Sequence, residues 1–232
     1  MGVIHQHFRP DPALCLKDPE STDVGRALLG HGLDLMLELG LEAFTFRKLA
    51  QRVGTTEVTV YKYFANKQRL LQFYYQLYWL WLRQVGAQEV ERSSAPQEVL
   101  AHVVEVLCGV WPGALPPLQL DPAGLRKLVI AEGMKSYLHK NVDDDNARRL
   151  FHPYKELSAF VAARLVACRA DVPWPRSFAT TVIEMAHSLP FLMEHLPSLT
   201  ELSSRKDLKQ LAQHLLHRTI TYLEHAKPIT SK

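Results

Sequence analysis

From residue 23 onward apolar side chains return every three or four positions, and the strict alternation expected of a half-buried strand is scarce. The first stripe is Leu28, Leu35 and Leu39, with Leu29, Leu33 and Met36. Thr22 supplies an N-cap oxygen, Asp23 a negative charge in the first turn, and Gly40 a C-terminal stop. Gly30 and Gly32 weaken this helix by about 1 kcal/mol each relative to alanine where exposed. Thr45 caps a short second helix, Phe46 to Val53, which Gly54 stops, and Thr56 caps a third, Glu57 to Phe64. A long fourth helix is expected from about Lys67 to about Arg92, where Ser93-Ser94-Ala95-Pro96 breaks it. Further helices follow at roughly 96–110, 121–140, 144–170, 174–196 and 204–226, divided by proline-rich or acidic turns. The expected fold class is all-α: a three-helix head over 23–68, then a larger helical body over 69–232. Residues 1–22 carry no helical pattern. Two readings stay open for them, a disordered arm or a segment that packs on the body through Phe8 and Leu14.

Composition changes this picture little. With 47% hydrophobic residues among 232, there is material for a sizeable core. The run Leu70 to Leu82 lacks charge, but it contains Gln72 and Gln76 and is shorter than the roughly 20 residues a bilayer span needs. Residues 1–22 lack the basic and then apolar pattern of an export signal, so a cytoplasmic protein with no membrane partner is expected. Cys15, Cys108 and Cys168 form no CxxC pair, which points away from a disulfide framework or a thiolate zinc site.

Charge changes the picture more. The net charge is only +3, yet Phe44 to Arg83 holds seven basic residues (Arg47, Lys48, Arg52, Lys62, Lys67, Arg69 and Arg83) against one acid, Glu57. A local +6 on a slightly acidic remainder is the pattern of a face that meets a polyanion. Within this segment Leu49 and Val53 lie one turn apart and point inward, Ala50 is small where helices cross, and Gly54 permits a positive φ. Val60 and Phe64 close the mini-core from the next helix. Two helices joined by a short glycine-containing turn form a helix-turn-helix.

The stretch Phe44 to Lys67 resembles the DNA-binding head of the tetracycline-repressor-like (TetR) family of bacterial regulators, a resemblance that covers about residues 24 to 71. The matching elements are Phe-Thr-x-Arg-x-Leu-Ala at the entry, Gly-x-x-x-x-Thr-Val-Tyr through the recognition helix, and Tyr-x-Tyr-Phe-x-Asn-Lys-x-x-Leu-Leu at the exit. Thr55 departs from the small apolar residue more usual there. The resemblance implies a DNA interface of Arg47, Thr56, Glu57, Thr59, Tyr61, Lys62, Tyr63 and Lys67. Thr56 and Thr59 would donate hydroxyl hydrogen bonds, Tyr61 and Tyr63 would reach phosphates, and Lys67 would clamp the backbone. Arg47 would lie at the groove edge and Lys62 would read a base or a phosphate. Glu57 suits the positive end of the helix dipole but beside DNA finds a donor only at cytosine N4.

The same resemblance implies a homodimer on double-stranded operator DNA, a repressor released by an unidentified small-molecule effector. Dimer contacts are expected on helices 174–196 and 204–226, through Phe178, Val182, Met185, Leu189 and Leu192, and Leu208, Leu211, Leu215, Ile220 and Leu223. Trp81, Trp111, Met134, Phe160 and His187 are candidates for the effector pocket. The aromatic run from Phe73 to Trp81 reads first as core, and Pro190 as a bend within its helix. Eleven histidines show no HExxH and no carboxylate–histidine spacing repeated on two helices, so no metal is expected. No cofactor loop or nucleophile–base arrangement stands out, which points away from an enzyme. The alternative is a helical small-molecule-binding protein or enzyme with a vestigial DNA-binding head.

Overall fold

The computed structural model describes residues 8–113, 118–202 and 207–227. Among them there is no strand, and the order is α1 (Asp23–Ala43), α2 (Phe46–Val53), α3 (Glu57–Tyr61), α4 (Lys67–Arg92), α5 (Pro96–Cys108), α6 (Pro122–Glu132), α7 (Met134–Tyr137), α8 (Val142–Ala147), α9 (His152–Cys168), α10 (Pro175–His195) and α11 (Leu208–His225). No helix among the described residues is long and apolar enough to cross a membrane. The chain divides into two compact units, 1–81 with 117–153, and 82–116 with 154–232, so the division falls within α4.

In the first unit α1 packs on α2 and α6. Its core is built from Leu28, Leu29, Leu33 and Met36 of α1, Leu49 of α2, Val60 and Phe64 around α3, and Leu70, Tyr74 and Tyr78 of α4. The α4 aromatics are core, as their stripe predicts; Tyr74 also donates its hydroxyl to the Leu29 carbonyl at 2.7 Å. Gly40 breaks α1 with φ 71° and ψ 163°, but the chain then makes one further turn to Ala43. Leu39, the last residue before the break, is exposed and does not join the buried stripe. Glu132 at the end of α6 meets the break, its Oε1 accepting the Leu41 N–H at 3.0 Å while Oε2 pairs with Lys135 at 2.8 Å.

Residues 8–21 are not a bare tether. They hold two 3-10 turns, Pro12–Leu14 and Pro19–Ser21, and Leu14 is buried while Phe8 is half-buried. The Asp11 N–H reaches Gln76 Oε1 at 2.6 Å, and the Leu16 N–H reaches the Tyr63 carbonyl at 2.8 Å. Residues 1–7 of the expected arm lie outside the described residues.

Two expected long helices are each divided. The 121–140 helix stops at Gly133 and resumes as α7, and Tyr75 of α4 donates to the Val129 carbonyl at 3.1 Å next to that stop. The 144–170 helix becomes α8 and α9, separated by a turn in which Arg149 adopts φ 64°. The third helix is shorter than expected, ending at Tyr61 in a turn where the Tyr63 and Phe64 N–H groups both return to the Val60 carbonyl.

In the second unit α11 packs on α5 and α10. Val99, Val103 and Leu107 of α5, Leu157, Val161 and Leu165 of α9, Ile183 and Ala186 of α10, and Leu211 and Leu215 of α11 form its core. Phe178 stacks on Tyr222, whose hydroxyl donates to the Pro173 carbonyl at 2.6 Å. Helix α10 runs unbroken through Pro190. The expected dimer stripes need correction here. Val182, Leu211, Leu215 and Leu223 are buried within the chain itself, because an apolar stripe at helical spacing serves an internal neighbour as well as a partner. The remaining stripe residues are Ile220, exposed, and Phe178, Met185, Leu189, Leu192 and Leu208, half-buried.

Candidate nucleic-acid interface

Local chemistry sets the α2–turn–α3 geometry. Thr45 Oγ1 accepts the Lys48 N–H at 3.2 Å, and Thr56 Oγ1 accepts the Thr59 N–H at 3.2 Å, so each helix starts on a threonine cap. Gly54 takes the left-handed conformation, φ 75° and ψ 34°, and its N–H closes back on α2. Leu49, Val60 and Phe64 are fully buried and fix the two helices against each other, with Val53 half-buried at the edge.

That packing turns one face of α3 outward. Tyr61 is 48% exposed, and its ring meets Phe46 edge-on with centroids 5.0 Å apart. This contact sets the start of α2 beside the last turn of α3, so Arg47 and Lys62, both exposed, flank it. Among the described residues neither makes an ion pair. The other cations of the segment are engaged: Arg52 with Glu38 at 2.7 Å, Arg69 with Asp145 at 2.9 Å, Arg83 loosely with Glu156 at 3.9 Å, and Lys48 on the Ala43 carbonyl at 2.8 Å. Thr56 is exposed and Thr59 half-buried; their hydroxyls lie 2.9 Å apart and hydrogen-bond to each other. Glu57 sits half-buried in the first turn of α3, where the helix dipole favours a carboxylate.

Two of the expected contact residues are engaged within the chain. Tyr63 is 4% exposed, its hydroxyl bonds Thr22 Oγ1 at 2.7 Å, and the Lys17 ammonium lies 5.3 Å over its ring. It holds the start of α1 and the preceding segment against the head. Lys67 directs its Nζ at the carbonyls of Leu41, Glu42 and Phe44, at 2.8, 3.1 and 3.3 Å, an arrangement that engages all three ammonium protons. With Lys48, it caps the negative end of α1 after the Gly40 break. Replacing Lys67 with methionine should therefore cost about 1–2 kcal/mol of stability in denaturant melts, as expected for charge-assisted bonds at a part-exposed site. Any accompanying loss of DNA affinity should leave the salt slope unchanged. A slope reduced by about one per head with stability intact would support the phosphate-clamp role.

Of the five candidate pocket residues, Trp81 and Met134 belong to the first unit and Trp111, Phe160 and His187 to the second. Trp81 is completely buried in α4, and Met134 is 53% exposed on α7. Trp111 is half-buried and donates its indole N–H to the Val106 carbonyl at 3.2 Å. Phe160 is half-buried with the Arg164 guanidinium 5.3 Å over its ring, and His187 is buried with Nδ1 2.8 Å from the Ile183 carbonyl. A groove of about 340 Å³ in the first unit has other walls, among them Arg9, Pro12, Cys15, Asp18, Phe73 and Gln119. Among the described residues no group of three His, Cys, Asp or Glu side chains is placed to hold a metal.

The family model described as "Bacterial regulatory proteins, tetR family" matches residues 28–72, which span most of α1 through the start of α4. The uncharacterized HTH-type transcriptional regulator YdeS of Bacillus subtilis (strain 168) is 34% identical over 53 residues, which are 23% of this chain and 27% of that protein. The chain thus matches about a quarter of its curated relative's length. Over longer spans the likeness is one of fold. AibR, solved in complex with isovaleryl coenzyme A and operator DNA, superposes with a TM-score of 0.55 at 13% identity, covering 83% of this chain and 96% of AibR. The TetR family transcriptional regulator PfmR from Thermus thermophilus gives 0.55 at 16% identity, covering 91% and 99%. The threonine caps, the turn glycine, the buried Leu49, Val60 and Phe64 and the outward basic face all fall within the stretch, residues 28–72, that matches the model of the tetR family of bacterial regulatory proteins.

Proposed function

We propose that this protein is a sequence-specific transcriptional regulator that binds double-stranded operator DNA as a homodimer and is released from it by a small-molecule effector. The observation that carries the reading is the outward face of α3, where Tyr61 is braced by Phe46 and flanked by Arg47 and Lys62, two cations with no ion-pair partner among the described residues. Unpaired cations beside a short exposed helix suit phosphate contacts on either side of a major groove. A dimer has a physical reason: one head contacts too few base pairs for specificity, and two-fold symmetry matches a palindromic site. Its contact surface is proposed on the outward sides of α10 and α11, around Met185, Leu189, Leu192 and Ile220. Release follows by population shift, DNA selecting one spacing of the two heads and effector another. Such a protein would work as a repressor in the cytoplasm, where the DNA is.

Fluorescence anisotropy with duplex DNA from upstream of its own gene, beside an unrelated duplex, tests this. Tight binding that prefers the first duplex and weakens steeply with salt is expected. Alanine at Arg47 and at Lys62 should each lower the salt slope by about two, since the dimer carries each residue twice. Equal weak binding to both duplexes, with slopes unmoved by either variant, would sink the operator assignment. It would favour a helical ligand-binding protein or enzyme instead.

A further inference from the structure

We propose that Val58 is a specificity-determining residue that recognises the C5-methyl group of a thymine in the major groove; this deepens, and rests on, the DNA-reading assignment of α3. Val58 is 68% exposed, whereas Val60 on the same helix is completely buried. A lone exposed apolar side chain is ordinary on a protein surface. This one is placed against local preference. Helix α3 has five residues, Glu-Val-Thr-Val-Tyr, of which three are β-branched and lose side-chain freedom in a helix. Val60 offsets that cost by burial, whereas Val58, 68% exposed, recovers little of it. Departures from local consistency that the fold does not repay mark functional positions.

Its neighbours give the position chemical meaning. Tyr61 and Lys62 lie three and four residues on, hence on the same outward side, and both are exposed. Val58 therefore stands as an apolar spot beside a phenol and an ammonium. The base edges of the major groove offer donors, acceptors and one apolar group, the thymine methyl. Valine's branched side chain is already restricted at χ1, so little freedom is lost when it docks. A hydroxyl or charge in its place would lose that contact and leave a polar group facing a methyl.

The test begins by selecting duplexes from a random-sequence pool with the full-length protein. Deoxyuridine, which lacks the methyl, then replaces each thymine of the enriched site one at a time. The proposal expects one thymine per half-site at which uracil weakens wild-type binding about three- to tenfold. Val58→Ser and Val58→Asn, which carry no methyl group, should each remove that penalty, and their melting curves should stay close to wild type because the position is exposed. An enriched site with no uracil-sensitive thymine, or a penalty that persists in both variants, overturns the role of Val58 alone. A pool that yields no enriched sequence overturns the DNA-reading assignment itself, and this proposal with it.

Discussion

Replacing Asp145 with alanine should destabilise the first unit by about 3 kcal/mol, at the lower end of what breaking a buried ion pair costs. The Asp145 side chain is 5% exposed on α8, and it receives Arg69 Nη2 at 2.9 Å and Gln72 Nε2 at 2.8 Å. His139 Nε2 lies 3.6 Å away. Arg69 also donates to Gln72 Oε1 at 2.7 Å, which closes the network. Alanine would leave the guanidinium without its counter-charge and Gln72 without an acceptor. Arg69 is 22% exposed, so water relieves part of the loss, and the lower figure follows.

The pH dependence follows from the same contacts. Burial pushes the Asp145 carboxyl up, but the hydrogen bonds from Gln72 and Arg69 and the Arg69 charge outweigh it and leave it below its ordinary value. A carboxylate lowered in the folded state contributes stability that is fully present above the unfolded value. That contribution is lost as pH falls through the lowered one. Denaturant melts should thus show the gap between wild type and Asp145→Ala constant at neutral pH. It should narrow as the solution is acidified below the ordinary carboxylate range. A gap that does not change with acid would mean that packing, not charge, carries the effect.

A second large effect is expected at Leu14, outside the residues that carry the family resemblance. Leu14→Ala should cost about 2–4 kcal/mol, the range for truncating a buried leucine. The side chain is 1% exposed, and the segment around it is bound at several points. Asp11 reaches Gln76, Leu16 reaches the Tyr63 carbonyl, and the Pro19 carbonyl sits where a Cβ on Gly25 would lie only 2.1 Å from it. Since Tyr63 follows directly on the last turn of α3, loosening the segment frees the exit of the recognition helix. Amide exchange should rise at Leu16 and at Tyr63 to Phe64 together, and DNA affinity should fall with them. Faster exchange confined to residues 8–21, with affinity unchanged, would show that the segment only covers the head.

Much of the head was legible because its determinants are local. Thr22, Thr45 and Thr56 each cap a backbone N–H three residues on, and Gly54 needs only its own φ, so a one-dimensional spacing suffices. The bounds of α2 and α4 fall where caps and breakers place them for the same reason. The division of the expected long helices was not legible. At Gly133 the stop coincides with a tyrosine hydroxyl from α4 on the Val129 carbonyl, and no spacing within 121–140 records that partner.

Side-chain roles divide along the same line. The sequence by itself determined an all-α chain, a capped helix-turn-helix and a basic face, because periodicity, capping and charge depend on residues a few positions apart. Only the tertiary structure decided which of those residues face outward. Lys67 meets carbonyls 23 to 26 residues earlier, Tyr63 meets Thr22 at a separation of 41, and Arg69 meets Asp145 at 76. Each is a polar group whose strongest available partner lies far along the chain, and chain distance carries no record of it. The stripe of Leu211 and Leu215 shows the same limit for apolar residues: helical spacing reveals that a face is buried, while the fold alone settles that it is buried within its own chain.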